Sequence, residues 1–221
     1  MDQPLPVYVF DLYGTLLDYR SLRSRFEGLV ADPDALVTTW REKQLQYALA
    51  ASAMHRYHDF DTLTGAAFAY AADRHGLPAT DAARDAAREA WTALPAFPDV
   101  PRALEALRAR GHHTAILSNG TLRSIERGLS AAGIAGCFDA LLSVDSVQVY
   151  KPDPRVYALA TEHFGVPARR IVFVSSNGWD ATGGAEFGFS TVWCNRAGLP
   201  AERIGAPPHR VVASLEALVD G

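Results

Sequence analysis

Short apolar runs, each followed by polar residues and then by a helix-like pattern, recur along this chain and constrain its fold. The runs cover residues 7–10, 114–117, 138–143, 171–174 and 191–194, with Val211-Val212 as the candidate for a last strand. The apolar residues between these runs lie three or four positions apart, which is typical of helices. Strands that alternate with helices predict right-handed crossovers and a parallel sheet covered on both faces. The predicted fold class is therefore a doubly wound α/β fold.

A long segment after the first strand interrupts this alternation and shows helical spacing alone. The helices predicted in it cover residues 34–51, 61–75 and 80–94. Pro95 and Pro98 end the last helix and mark the return to the alternating pattern. The predicted division is an α/β core domain of residues 1–16 and 99–221 and a helical cap subdomain of residues 17–98.

Composition argues against several classes of protein. The 221 residues carry a net charge of -4 at pH 7 without a block of Lys and Arg, so neither nucleic acid nor a membrane is an expected partner. The first ten residues lack a basic segment and a long apolar one, so no signal peptide is expected. Cys137 and Cys194 form no Cys-x-x-Cys pair, which favours a reduced, cytoplasmic protein. The histidines show no metal-ligand spacing, and no metal is expected.

Polar side chains directly follow the predicted strands at four junctions. Asp11 follows the strand Val7 to Phe10, which is expected at the centre of the sheet because its run is apolar throughout. The other junctions carry Ser118-Asn119, Lys151 and the segment 175–180. Asp11 alone would be expected only to cap a turn. Because the carboxyl ends of parallel strands meet at one edge, the four junctions together predict a catalytic site there.

Four motifs at these junctions resemble those of the haloacid dehalogenase superfamily: FDLYGTLLD, ILSNG, VYKPDPRVY and FVSSNGWDATG. Within it they are most similar to the type II L-2-haloacid dehalogenases, and WREKQLQY in the helical segment also matches that family. The resemblance implies a Rossmann-like core, a cap whose movement gates the site, and a small 2-haloacid as substrate. It also implies hydrolysis to a 2-hydroxy acid and halide without a metal or an organic cofactor, and a homodimer.

Tyr13 separates this family from the superfamily phosphatases, which carry a second Asp two positions after the nucleophile. That Asp protonates a leaving alkoxide, whereas a halide leaves without a proton. Tyr13 therefore argues against the alternative of a magnesium-dependent phosphatase. A further alternative is a non-catalytic domain used for binding or assembly. The presence of Asp11, Lys151 and Asp180 together argues against it.

The resemblance gives the central chemistry to three charged residues. Asp11 would attack C2 of the substrate, displace halide with inversion and form an aspartyl ester that water then hydrolyses at the Asp11 carbonyl. Lys151 would keep Asp11 ionised by opposing its charge. Asp180 has two candidate roles, which are activation of the water and pairing with Lys151.

The resemblance also implies supporting roles. The hydroxyl donors to the substrate carboxylate or to Asp11 would be Thr15, Ser118 and Ser175. The supports of the site through hydrogen bonds would be Tyr157 and Asn177. The apolar wall around the substrate alkyl group would comprise Tyr13, Leu45, Phe60 and Trp179. Arg41 and Asn119 would bind the leaving halide, because a departing anion needs fixed positive dipoles. The alternative for Arg41 is an exposed helical residue paired with a nearby acid.

Glu42 departs from the family pattern, which often has Gln at this position. A carboxylate facing an anionic substrate would weaken its binding, so either Glu42 points away or the pocket is altered. This departure concerns the preferred acid and halogen, including whether fluoroacetate is cleaved, and leaves the predicted reaction class unchanged.

Overall fold

The computed structural model describes residues 5–219. The predicted core also includes residues 1–4 and 220–221, and the expectation of no signal peptide rests partly on the first four residues. These terminal parts of the predicted core, and the residues on which that expectation rests, lie outside the described part of the chain. Along residues 5–219, no helix is long and apolar enough to cross a membrane.

A parallel sheet forms the centre of the described chain. Its strands are β1 (Val7–Phe10), β2 (Thr114–Ser118), β3 (Ala140–Ser143), β4 (Ile171–Ser175), β5 (Ser190–Cys194) and β6 (Arg210–Val212). The strand order is β3-β2-β1-β4-β5-β6, with Val9 opposite Ala115 on one side and opposite Phe173 on the other. The predicted α/β class and the central first strand are confirmed. The order reverses at β1, and such a switch point opens a ligand-binding crevice beyond the carboxyl ends of the strands.

The helices of the described residues fall into two groups. They are α1 (Pro33–Ala53), α2 (Phe60–Arg74), α3 (Asp81–Trp91), α4 (Val100–Ala109), α5 (Leu122–Ala131), α6 (Pro154–Phe164) and α7 (Gly178–Phe187). The last four pack against the strands, whereas α1, α2 and α3 pack on one another. The shorter 3-10 helices cover Tyr19–Phe26, Ala135–Cys137, Val144–Ser146, Ala168–Arg170 and Leu215–Leu218.

Aromatic side chains form the centre of the helical segment between β1 and α4. The ring of Trp40 on α1 lies 5.1 Å from that of Phe68 on α2 and 5.1 Å from that of Trp91 on α3. The three predicted helices are confirmed to within a few residues. The helix α1 begins at Pro33 because Asp32 accepts a hydrogen bond from the backbone of Ala35.

The helical segment leaves and rejoins the core at one place. The backbone N–H of Asp18 donates to the carbonyl of Pro95 at 2.8 Å, and that of Phe97 donates to Leu16 at 2.9 Å. Because the two crossings are hydrogen-bonded to each other just after Asp11, the helices are anchored beside the carboxyl end of β1.

Three details differ from the sequence-based expectations. The third strand begins at Ala140 rather than Phe138, because residues 135–137 form a 3-10 helix. Asp99 precedes α4 but does not cap it; its carboxylate accepts from Arg196 at 2.9 Å and from the backbone of Leu215 at 2.7 Å. The 3-10 helix of residues 19–26 was not predicted, because its eight residues carry too little apolar periodicity.

Candidate active site

The carboxyl ends of the central strands bring the predicted site residues to one edge of the sheet. Asp11 directly follows β1 and its backbone N–H donates to Val174 on β4 at 2.9 Å. Ser118 ends β2 and Ser175 ends β4, so that both flank Asp11. The edge lies at the switch point of the sheet, where the strand order leaves room for a ligand.

Both carboxylate oxygens of Asp11 are hydrogen-bonded. Oδ1 accepts from Nζ of Lys151 at 3.1 Å. Oδ2 accepts from Oγ1 of Thr15 at 2.9 Å and from Nδ2 of Asn177 at 2.9 Å. Three donors, one of them cationic, therefore hold this buried carboxylate in a fixed orientation.

Lys151 is a buried cation shared between two acids. Its side chain is 1% exposed, and Nζ lies 2.9 Å from Oδ2 of Asp180 as well as 3.1 Å from Asp11. Nζ also lies 4.9 Å from the centre of the Phe173 ring. The backbone N–H of Lys151 donates to Oδ1 of Asn119 at 3.1 Å, which couples the second and third motifs.

Asp180 has a partner on each oxygen and is 0% exposed. Oδ1 accepts from the hydroxyl of Tyr157 at 2.8 Å, while Oδ2 accepts from Lys151. Burial raises the pKa of Asp180, although Lys151 opposes that rise. Burial and the nearby Asp180 charge raise the pKa of Tyr157, so its hydroxyl stays protonated and donates.

The serine hydroxyls at the strand ends accept hydrogen bonds from the turns that follow them. Ser118 Oγ accepts from the backbone of Gly120 at 3.0 Å, and Ser175 Oγ accepts from that of Asn177 at 3.2 Å. Of the three hydroxyls predicted to donate to Asp11 or to the substrate, only Thr15 donates to Asp11 in the described residues.

Arg41 reaches the site from α1. It is 7% exposed, and its Nη1 donates to Gln44 at 2.7 Å while Nη2 lies 3.5 Å from the carbonyl of Tyr13. The guanidinium lies 5.4 Å from the Tyr19 ring and 5.9 Å from the Trp91 ring. Burial lowers the pKa of Arg41, and the charges of Asp11 and other groups oppose that fall. The alternative of an exposed, acid-paired Arg41 is therefore wrong.

The predicted apolar wall divides into two parts. Leu45 and Trp179 line a cavity of about 310 Å³ together with Asn119 and Lys151. Tyr13 and Phe60 are buried and stack on each other with ring centres 5.8 Å apart, and neither lines that cavity. The Tyr13 hydroxyl has no partner among residues 5–219, and burial raises its pKa.

Glu42 lies beside the same cavity. The residue is exposed on α1 and contributes to the lining of the same cavity. Of the two possibilities raised by its departure from Gln, this position favours an altered pocket, and its effect on the preferred acid stays a prediction.

Sequence reasoning missed the groups that hold Arg41 in place. Gln44 accepts from Arg41 and donates through Nε2 to Oγ1 of Thr64 on α2 at 2.6 Å. Tyr19 and Trp91 flank the guanidinium from two other elements. The spacing of Gln44 three residues after Arg41 was the one available signal.

The described residues contain no group of three or more His, Cys, Asp or Glu side chains placed to hold a metal ion. Lys151 places a positive charge between Asp11 and Asp180.

Comparisons with known proteins agree with this geometry. Residues 5–188 match the family of haloacid dehalogenase-like hydrolases. The chain is 45% identical over 215 residues to an (S)-2-haloacid dehalogenase of Pseudomonas sp. strain YL, covering 96% of this chain and 91% of the relative. This chain belongs to the L-2-haloacid dehalogenases. A second (S)-2-haloacid dehalogenase of the family, from Burkholderia cepacia, is 40% identical over 99% of this chain and 95% of its own.

Solved dehalogenases share the whole fold. One L-2-haloacid dehalogenase superposes with a TM-score of 0.94 at 39% identity and covers 98% of both chains. The enzyme of Xanthobacter autotrophicus, solved with chloropropionic acid covalently bound, has a TM-score of 0.89 at 31% identity over 98% of this chain and 97% of its own. A phosphatase of Thermococcus onnurineus with a TM-score of 0.65 is 23% identical and shares the fold alone.

Proposed function

We propose that this enzyme hydrolyses the carbon–halogen bond of short L-2-haloalkanoic acids and releases halide and the D-2-hydroxy acid. In stereochemical terms, an (S)-2-haloacid gives an (R)-2-hydroxy acid. The observation that carries the proposal is the buried Asp11 carboxylate, which Lys151, Thr15 and Asn177 hold beside an apolar cavity. The family's covalent complex with chloropropionic acid supports a nucleophilic carboxylate.

In the first step, Oδ1 of Asp11 attacks C2 of the substrate opposite the halogen. The carbon–oxygen bond forms as the carbon–halogen bond breaks, so the configuration inverts and an aspartyl ester results. Oδ1 is the suitable nucleophile because Lys151 is its one donor among the described residues, whereas Oδ2 already accepts from Thr15 and Asn177.

The departing halide needs positive dipoles in a site with little water. We assign this role to Arg41 and Asn119. Asn119 uses Oδ1 to accept from Lys151, and its Nδ2 has no protein partner among the described residues and is available for an anion.

The hydroxyls of Ser118 and Ser175 are assigned to the substrate carboxylate. Their oxygens accept hydrogen bonds from the backbone, so their hydrogens stay available to donate.

In the second step, water attacks Cγ of the Asp11 ester. Negative charge then develops on Oδ2, where Thr15 and Asn177 already donate and stabilise it. The Cγ–Oδ1 bond breaks, Oδ1 leaves with the product and takes up a proton, and the oxygen of water remains in Asp11. The hydroxyl oxygen of the product therefore derives from the protein.

Two roles were predicted for Asp180, and its contacts favour the role of partner to Lys151. Both of its oxygens are occupied, by Lys151 and by Tyr157. The variant Asp180→Asn separates the roles. Accumulation of the Asp11 ester after one turnover would indicate that Asp180 activates water, whereas loss of ester formation itself would indicate that it orients Lys151.

The phosphatase alternative has little support. Tyr13 stands where a phosphatase carries its acid, and burial raises the pKa of Tyr13 above the usual value, so it is a weak proton donor. The non-catalytic alternative is also disfavoured, because the family consists of hydrolases and this chain retains the contacts among Asp11, Lys151 and Asp180.

We further propose that residues 17–98 act as a cap whose movement admits substrate, with residues 1–16 and 99–221 as the core. The placement of Arg41 on α1, opposite Asp11 on the sheet, supports this division.

A homodimer and a cytoplasmic location stay predictions. Light scattering on the purified protein tests whether it is a dimer.

Halide release tests the proposed activity. We expect release from L-2-chloropropionate and not from the D form, unchanged by a chelator, with no hydrolysis of a generic phosphate ester.

Asp11→Asn tests the nucleophile. This variant should lose activity and keep the circular dichroism spectrum of the wild type. One turnover in labelled water should place the label in Asp11; label found first in the product would contradict the ester mechanism.

A further inference from the structure

The cavity beside Lys151 includes a negative charge in its lining. Its walls are largely apolar and include Leu45, Leu49 and Trp179, while Asn119 and Lys151 lie at the catalytic end. Its volume of about 310 Å³ suits the alkyl part of a short acid. Glu42 is the one carboxylate among the residues that line it.

Glu42 occupies this position because of helical spacing. Leu45 and Leu49 follow it by three and seven residues on α1, so the three side chains share one face of the helix. The preceding residue, Arg41, points into the buried site instead. The same helix therefore presents a cation to the reacting centre and an anion to the cavity.

The charge of Glu42 is not neutralised by a neighbour. It is exposed and makes no hydrogen bond or ion pair within residues 5–219. The cation in the same lining, Lys151, is already engaged by Asp11 and Asp180 at 3.1 and 2.9 Å. A second anion placed in the cavity would therefore meet an uncompensated carboxylate.

We infer that Glu42 is a specificity-determining residue that selects against 2-haloacids carrying a second negative charge at the far end of the alkyl chain. This inference rests on the proposed function. The reacting carboxylate and the halogen bind near Asp11, so the far end of the chain extends along Leu45 toward Glu42. An apolar end contacts the leucines, whereas an anionic end is repelled.

Two substrates of equal carbon count provide the test. L-2-chlorobutyrate ends in a methyl group, and L-2-chlorosuccinate ends in a carboxylate. For the wild-type enzyme, kcat/KM should favour chlorobutyrate. Glu42→Gln should reduce this preference by roughly threefold to tenfold, because one unit of charge is removed at short range in partly screened surroundings. Glu42→Lys should reduce it further, and Glu42→Asp should retain it.

Glu126→Gln is the matched control. Glu126 is an exposed acid on α5 that does not line the cavity, so its removal changes the net charge equally and should leave the substrate ratio unchanged. Added salt should shrink the wild-type preference but not that of Glu42→Gln. A ratio that is equal in the wild type and Glu42→Gln overturns the inference. Absence of halide release from both acids in the wild type would instead reject the proposed function.

Discussion

Lys151 Nζ lies 3.1 Å from Oδ1 of Asp11, and both side chains are buried. The same ammonium lies 2.9 Å from Asp180, so one cation serves two carboxylates that have little contact with water. Charges that are buried in this way depend on one another, because each partner compensates the desolvation of the others. The arrangement links the stability of the fold to the chemistry at Asp11.

Replacing Lys151 should therefore damage both stability and activity. For Lys151→Met we expect a loss of about 3–5 kcal/mol in the free energy of unfolding, because two buried carboxylates lose their cation. Halide release should fall at least ~100-fold. Urea unfolding and initial rates measure the two effects. The control is Lys43→Met, since Lys43 is only partly buried and should change stability by less than about 1 kcal/mol. Wild-type stability in Lys151→Met would contradict the buried pairing.

Gln44 is expected to position Arg41. It accepts from Arg41 at 2.7 Å and is itself held by Thr64 at 2.6 Å. In Gln44→Ala the guanidinium loses this anchor, and kcat/KM for L-2-chloropropionate should fall roughly tenfold, which corresponds to one charge-assisted hydrogen bond. Inhibition by added halide should weaken in parallel. Thr38→Ala, an exposed change on the same helix at a residue that does not line the cavity, should leave both quantities near wild type.

Tyr13→Phe should not destabilise the protein. The Tyr13 hydroxyl is buried and has no partner within residues 5–219, so its removal relieves a desolvation cost and should change the free energy of unfolding by between zero and about +1 kcal/mol. Tyr150→Phe is the matched control, because the Tyr150 hydroxyl donates to the carbonyl of His58 at 2.5 Å. That variant should lose about 1 kcal/mol. Equal losses in the two variants would show that the Tyr13 hydroxyl has a partner in solution.

Gly183 is expected to tolerate no side chain. A Cβ at this position would lie 2.5 Å from the Tyr157 hydroxyl and 2.8 Å from Cβ of Pro152. Gly183→Ala should therefore destabilise the fold by about 1–3 kcal/mol. It should also lower activity, because Tyr157 must move away from Asp180. Gly136→Ala is the control, since a Cβ there meets no atom within 4 Å.

Buried tyrosines should make the protein sensitive to alkali. Burial is the largest cause of raised pKa values for the buried residues Tyr13, Tyr150 and Tyr157. A raised pKa in the folded state favours the neutral phenol, so this contribution to stability is complete below the unfolded pKa of about 10 and is lost as pH rises above it. We expect tyrosinate absorbance from these three residues to appear only as circular dichroism reports unfolding. Their ionisation in the folded protein would contradict the burial.

The parts of the site that the sequence predicted are those set by local order along the chain. Asp11, Ser118 and Ser175 each follow an apolar strand, and a parallel sheet brings such positions to one edge. The surroundings of Arg41 could not be predicted this way, because they depend on packing among segments far apart in the chain.

Asp99 illustrates the same limit. The residue lies at the predicted start of α4, where its type is favoured as a cap, yet its carboxylate binds Arg196 and the backbone of Leu215. Those partners follow it by about one hundred residues, and nothing in the local pattern indicates them. Tertiary contacts therefore replaced the local hydrogen bond that the residue type suggested.

The hydrogen-bonded segments at residues 16–18 and 95–97 carry a consequence for how such a protein can diversify. The chain enters the helical segment and leaves it at residues that are hydrogen-bonded to each other. The two ends of the segment are therefore as close together as the two strands of a hairpin. A helical insert of different length can replace this one at the same junction, and the six strands keep their register. A change of the helical insert can then change the substrate, while Asp11 keeps its position at the end of β1.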